Sequence, residues 1–203
     1  MTEIETHPFT PFCPENANTL ILGSFPCFNG LDYGDWFYCG SGKNELWRLL
    51  SDTFGMPVET LAQKRDLCIQ NRLALSDVAY KVIRTKNNCS DANLRIVEHN
   101  KMGILQCLTP TIKRVLFTSR FVEKEFKKIF PDFSLYNEVL LSPSPAANTY
   151  IASLTDYKNK RAGGEIRSIY EYRLADYRMK LGSEIYATIP SQEAQAQRQS
   201  LPD

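Results

Sequence analysis

The chain has 203 residues, 43% of them hydrophobic and 23% charged, with a formal net charge of +1. That length fits one domain able to bury a substantial core, and the composition is that of an ordinary soluble globular protein. A charge this close to zero excludes a global basic signature of nucleic-acid binding, so any such contact must come from a local patch.

Six cysteines (Cys13, Cys27, Cys39, Cys68, Cys89 and Cys107) are scattered without a CxxC pair, a spacing that argues against a zinc or iron–sulfur site. The N-terminus carries neither a basic nor an apolar leader region, so no signal peptide is expected. No apolar run approaches the roughly 20 residues that a membrane span needs. These features predict a cytoplasmic protein with free thiols, no metal, no cofactor and no membrane association.

In chain order, Thr19, Leu20, Ile21 and Leu22 form a short apolar run that stops at Gly23, the pattern of a buried strand ending in a tight turn. A long aromatic- and glycine-rich segment, residues 27–43, follows without periodicity, and loops of that length in compact domains are often functional. Asn44 then precedes a helical pattern over residues 45–54, closed by Gly55 and Pro57. A second helix is predicted over residues 58–71 and a strand over 74–78. Ser90 or Asp91 reads as the cap of a helix running through Leu94, Ile96 and Val97. Residues 112–118 read as a strand, 120–130 as a helix, and 138–141 as a last strand feeding directly into Ser142-Pro143-Ser144-Pro145. A helix over 166–180 would cover the sheet.

Strands alternating with helices predict an α/β fold, a three-layer α/β/α sandwich around a central, mostly parallel sheet. One domain is expected over residues 1–184, with a polar tail, 185–203, lacking the apolar content to fold. Ligands of such sheets bind beyond the carboxyl ends of the strands. Here two strands end in Gly/Pro/Ser-rich turns, after Leu22 and after Leu141.

Gly23-Ser24-Phe25-Pro26, the segment Tyr38-Cys39-Gly40-Ser41-Gly42-Lys43-Asn44-Glu45-Leu46-Trp47, and Ser142-Pro143-Ser144-Pro145-Ala146 stand in that order along the chain. Together they resemble the motif set of the uracil-DNA glycosylase superfamily, and within it the hypoxanthine-DNA glycosylase branch. That branch carries a GSFP first motif, a YYxHPRNxFW segment and a second motif ending in Ser-Pro-Ala. The similarity takes in His7-Pro8-Phe9 and runs over about residues 7–180. It implies a uracil-DNA glycosylase-like fold acting on damaged DNA, double- or single-stranded, as a monomer and without metal or cofactor.

Removing a base breaks a glycosidic bond through a transition state with positive charge on the sugar and negative charge on the departing base. The base must be flipped out and held by stacking and edge hydrogen bonds. Preorganised donors near the leaving base and a positioned water supply the rest. By the resemblance, Asn44 is the catalytic candidate, because Phe25 stands where the GINP-motif relatives place their water-positioning Asn. An Asn immediately before a helix is also a common N-cap, and the two roles are compatible. Gly23, Ser24, Phe25, Pro26, Tyr38 and Cys39 are the base-binding candidates. Cys39 falls where the family has its stacking aromatic, with Tyr38 or Phe37 as replacements, and Ser41-Gly42 replaces the family's His-Pro. Ser142, Pro143, Ser144, Pro145, Ala146 and Asn148 are the DNA-binding candidates, Ala146 standing at the wedge position. Asp32, Asp35 and Asp77 are the carboxylates considered for activating water. Lys158, Lys160, Arg161 and Arg167 form a basic cluster that could track a DNA backbone or simply be solvated.

Two functions lead, ahead of a doubly wound small-ligand protein with no DNA role, which the near-zero net charge permits. The first is a monofunctional DNA glycosylase removing hypoxanthine or uracil by hydrolysis in base excision repair. The alternative is a nucleic-acid-binding module of the same fold with weak or no catalysis.

Overall fold

The computed structural model describes residues 3–182 apart from 29, 31 and 87; the expected polar tail lies outside the described residues. A four-stranded, all-parallel sheet has the order β3-β2-β6-β7, with β2 Thr19–Gly23, β3 Leu73–Asp77, β6 Arg114–Phe117 and β7 Tyr136–Val139. Both faces are covered, and strict alternation along the strands divides the core in two. Ile21, Leu75 and Leu116 point to one face, against α1 Leu46–Phe54, α2 Leu61–Gln70 and α7 Ile169–Leu181. Leu20, Leu22, Ala74, Val115 and Phe117 point to the other, against α3 Lys101–Cys107 and α4 Arg120–Ile129. A strand sealed on both sides favours apolar residues on both, which is why β2 reads as a hydrophobic run, Leu20 to Leu22. The helices α5 Asn148–Ser153 and α6 Thr155–Ala162 lead into α7.

Local chemistry sets the helix ends. Thr60 and Gln63 form a reciprocal capping box at α2, with hydrogen bonds of 3.0 and 3.2 Å. Ser119 caps α4 through the Val122 amide at 3.3 Å, and Ser168 caps α7 through the Glu171 amide at 3.1 Å. Gly55, at φ 68°, ends α1 in the left-handed conformation.

A second sheet departs from the sequence expectation. Strands β1 Ile4–Thr6, β4 Ala79–Arg84 and β5 Leu94–His99 pair antiparallel in the order β1-β4-β5. The helix expected through Leu94, Ile96 and Val97 is therefore corrected to strand β5. Leu94 and Ile96 turn inward while Arg95 and Val97 face out, a period of two rather than 3.6. The apolar spacing fitted either period, and pairing with β4 decides it. This small sheet carries Val82 and Ala79, which pack with Leu94 and Ile96 on Phe25. It thus fixes the turn that follows β2.

The expectation of free thiols is also corrected. Cys13 pairs with Cys107, and Cys27 with Cys89, in disulfides that span 94 and 62 residues of sequence; Cys39 and Cys68 are free. No short-range spacing reveals pairs brought together only by the sheet.

Candidate active site

The three segments singled out in the sequence meet at the carboxyl ends of β2, β6 and β7 and frame a cavity of about 360 Å³. The first wall is the turn after β2. Its main chain is stapled to the β3–β4 junction by the amides of Val78 and Ala79, which donate to the carbonyls of Gly23 and Ser24 at 2.9 and 3.1 Å. Arg84 donates to the Pro26 carbonyl at 3.1 Å and is itself held by Glu5 at 3.0 Å. The Cys27–Cys89 bridge ties the same turn to the β4–β5 connection.

Gly23 lies under the floor of the cavity, and a Cβ there would run into the Asp77 carboxylate and the Tyr38 hydroxyl. Glycine is required here by close approach, not by its dihedral. Ser24, Phe25 and Pro26 line the cavity, although Phe25 is only 8% exposed and spends most of its surface on the second sheet.

Tyr38 lines the cavity with φ at 63°, a left-handed conformation uncommon for a bulky residue and the kind of local strain that clusters at functional sites. Burial first, and then the Asp77 carboxylate, push its phenol well above the ordinary range, so it stays protonated. Its neighbours in the sequence do not join it. Phe37 is 1% exposed and belongs to the core. Cys39 turns away from the cavity, its thiol 3.3 Å from Lys64 Nζ, with its pKa raised by burial and by the hydrogen bond to Asp35. Of the three aromatic-position candidates, Tyr38 alone presents itself to a ligand.

Asn44 lines the cavity at the entry to α1. Its Oδ1 accepts the Leu46 amide at 2.9 Å, which is the cap-like role foreseen for it. That bond fixes the amide's orientation and leaves Nδ2 as the group available to the cavity. Asn44 can therefore donate to a ligand oxygen or nitrogen while its acceptor is occupied.

The third wall is the loop after β7. Ser142, Pro143, Ser144, Pro145 and Ala146 all line the cavity. Ser142 Oγ accepts the Ser144 amide and Ser144 Oγ accepts the Ala146 amide, each at 3.3 Å, which leaves both hydroxyl protons free to donate to an anion. Asn148 does not reach the cavity. Its Oδ1 accepts from Arg173 at 2.8 Å, so its side chain is engaged in holding the loop.

Arg173 had no signal in the sequence and organises this wall. It is 1% exposed, donates to the carbonyls of Ser142 and Ser144 at 2.7 and 2.9 Å, and pairs with Glu45 at 2.6 Å. The Glu45 amide in turn donates to the Pro143 carbonyl at 3.0 Å. The Asn44 segment and the serine loop are thereby locked into one unit.

Of the three carboxylates considered for water activation, Asp77 alone lines the cavity. It is 3% exposed, with Oδ2 held by His7 Nε2 at 2.8 Å. Asp32 accepts the Gly34 amide at 2.8 Å, and Asp35 lies 3.7 Å from Lys64; neither faces the cavity. Sequence reasoning passed over Asp91, read there only as a helix cap. Its half-buried carboxylate lines the cavity, accepts from Ser119 Oγ at 2.9 Å and is reached by the Ser24 side chain. Burial raises its pKa. Lys43 is the cation on the cavity wall among the described residues and was likewise passed over. The basic cluster after the serine loop stands apart, with Lys160 paired to Asp156 at 2.9 Å on α6. Among the described residues no group of three or more His, Cys, Asp or Glu side chains could hold a metal ion, and no helix is long and apolar enough to cross a membrane.

A protein of Methanosarcina barkeri named hypoxanthine DNA glycosylase is 30% identical over 140 residues, 68% of this chain and 85% of that protein. The chain belongs to the hypoxanthine-DNA glycosylase branch of the uracil-DNA glycosylase superfamily. The protein of the same name from Methanosarcina acetivorans is 26% identical over 140 residues, with the same shares of each chain. A solution NMR structure from Methanosarcina acetivorans, assigned as a uracil DNA glycosylase, superposes with a TM-score of 0.56 at 22% identity, covering 84% of this chain and 99% of that one. It bears out the uracil-DNA glycosylase-like α/β fold. No family model matches the chain. Within this branch the chain's departures have a structural counterpart: the cysteine at the stacking position faces Lys64, and the preceding tyrosine turns into the cavity instead.

Proposed function

We propose that this chain is a monofunctional DNA glycosylase that hydrolyses the N-glycosidic bond of a deaminated base, hypoxanthine or uracil, flipped into the cavity. The observation that carries the reading is the convergence of all three motif segments on one cavity beyond the strand ends, with Asn44 among its lining residues and its Nδ2 not used in the Leu46 bond. Tyr38 supplies an aromatic face for the flipped base. Asn44 donates to a carbonyl oxygen of the departing base, where negative charge grows in the transition state. The free hydroxyl protons of Ser142 and Ser144 and the Lys43 ammonium bind the flanking phosphates, which position the nucleotide without reading its sequence. Water attacks the sugar carbon as the base leaves with the bonding pair, and a solvent proton neutralises the base. The protein works as a monomer and needs no metal or cofactor for these steps.

The test is incubation with duplexes carrying uracil, hypoxanthine or xanthine, followed by scoring of alkali-labile sites. Wild type should cleave at least one of them. Asn44→Ala should lower kcat by about 10²-fold, the scale of losing one transition-state donor, with the circular dichroism spectrum unchanged. Salt-sensitive duplex binding without cleavage of any lesion would instead mark a binding module of this fold.

A further inference from the structure

A base in this cavity must be told apart from its undamaged parent. Deamination of adenine or cytosine makes the same two changes. A ring nitrogen that accepted becomes an N–H that donates, and the adjacent exocyclic amine becomes a carbonyl. A site that holds an acceptor against the ring nitrogen and a donor against the exocyclic atom therefore matches hypoxanthine and uracil and opposes adenine and cytosine in the same register.

Both kinds of group line the cavity. The donor is Asn44 Nδ2, whose orientation is set by the Leu46 amide. The acceptor could come from either carboxylate on the wall, and their surroundings separate them. Asp77 is 3% exposed, with one oxygen bound by His7. Asp91 is half-buried and reachable, at the short 3-10 turn Asp91–Asn93 between β4 and β5.

Its position is over-determined. The connection that carries it is bridged to the first motif by Cys27–Cys89. Asn88 Oδ1 braces the same connection by accepting the Ser90 amide at 3.1 Å and Asn93 Nδ2 at 2.9 Å. Ser119 Oγ donates to Asp91 Oδ2 at 2.9 Å while accepting the Val122 amide at 3.3 Å, so its single proton is committed to the carboxylate. Two hydroxyl groups satisfy part of a group with about four acceptor positions, and the remainder is open to the cavity. A carboxylate held in place by donors behind it is preorganised to accept from a donor in front.

We propose that Asp91 is the specificity-determining residue of this cavity, accepting the ring N–H that deamination creates (N1–H of hypoxanthine, N3–H of uracil). This rests on the glycosylase reading and extends it from reaction to base selection. An amino base in the same register sets its ring lone pair against the carboxylate, and the repulsion is unscreened where water is excluded.

The test is Asp91→Asn, which keeps an oxygen for Ser119 but replaces the other acceptor by an amide that donates. Excision of hypoxanthine or uracil should fall by about 10- to 100-fold in kcat/KM, the range for one hydrogen bond to a charged group. Affinity for a duplex carrying a tetrahydrofuran abasic site, which has no base to read, should stay within about twofold. An unchanged excision rate overturns the proposal. So does an equal loss of affinity for the abasic duplex, which would make Asp91 a support of the DNA-binding surface. If wild type excises nothing, the glycosylase reading falls and titration with the free bases still decides this one. Binding of hypoxanthine or uracil that Asp91→Asn weakens by about tenfold or more supports it, and equal or absent binding overturns it.

Discussion

Asp91 illustrates how a residue serves a site at the expense of the fold. Its carboxyl is lifted above the ordinary range by burial, only partly offset by the Ser24 and Ser119 hydroxyls. Folding therefore disfavours its ionised form. Below the unfolded-state value of about 3.9 the group is neutral in both states and carries no penalty. As pH rises through that value the unfolded chain ionises first, and stability is lost until the higher folded-state pKa is passed. Asp91→Asn removes the effect. Its thermal midpoint relative to wild type should climb across this window and level off above it, as read by circular dichroism melts between pH 3.5 and 8. A difference that stays flat with pH would show that Asp91 is not desolvated as the structure has it. Asn44 makes the complementary point: the cap role legible from its place before a helix occupies its Oδ1 and leaves Nδ2 for the role that the resemblance implies.

At the level of elements, the two loops named from their Gly/Pro/Ser content do stand at strand ends, because an α/β sheet exposes its carboxyl edge by construction. What joins the second of them to the Asn44 segment is Arg173 on α7, which reaches the Ser142 and Ser144 carbonyls, Asn148 and Glu45 at once. Arg173→Ala leaves two loop carbonyls and a carboxylate without their buried partner. The expected loss is about 3–5 kcal/mol in urea unfolding, with excision falling further than the residual folded fraction explains. A loss under about 1 kcal/mol, the scale of an exposed pair, would place Arg173 outside the frame of the site. The β5 segment was misread because Leu94, Ile96 and Val97 fit two periods. An edge strand is defined by its partner β4, some ten residues upstream, and not by its own residues.

At the scale of the whole molecule, the two disulfides cross-link segments far apart in the chain. Cys13–Cys107 and Cys27–Cys89 close loops of 94 and 62 residues. In the chain-entropy model each stabilises by about 4 kcal/mol, acting on the unfolded state. Treatment with a strong reductant should lower the urea midpoint of wild type clearly and leave a Cys13→Ser/Cys27→Ser/Cys89→Ser/Cys107→Ser variant unmoved. Identical midpoints for wild type with and without reductant would show that the bridges do not form in solution. The sequence by itself determined the α/β class, the apolar run of β2 and the three segments that frame the cavity, since those follow from local periodicity, turn chemistry and motif order. Only the tertiary structure decided that Cys39 faces Lys64 while Tyr38 enters the cavity, that Asn148 belongs to Arg173, that four cysteines pair, and that Asp91 lines the wall. Each of these depends on groups far apart in the chain, and no local pattern records which of them the folded sheet brings together.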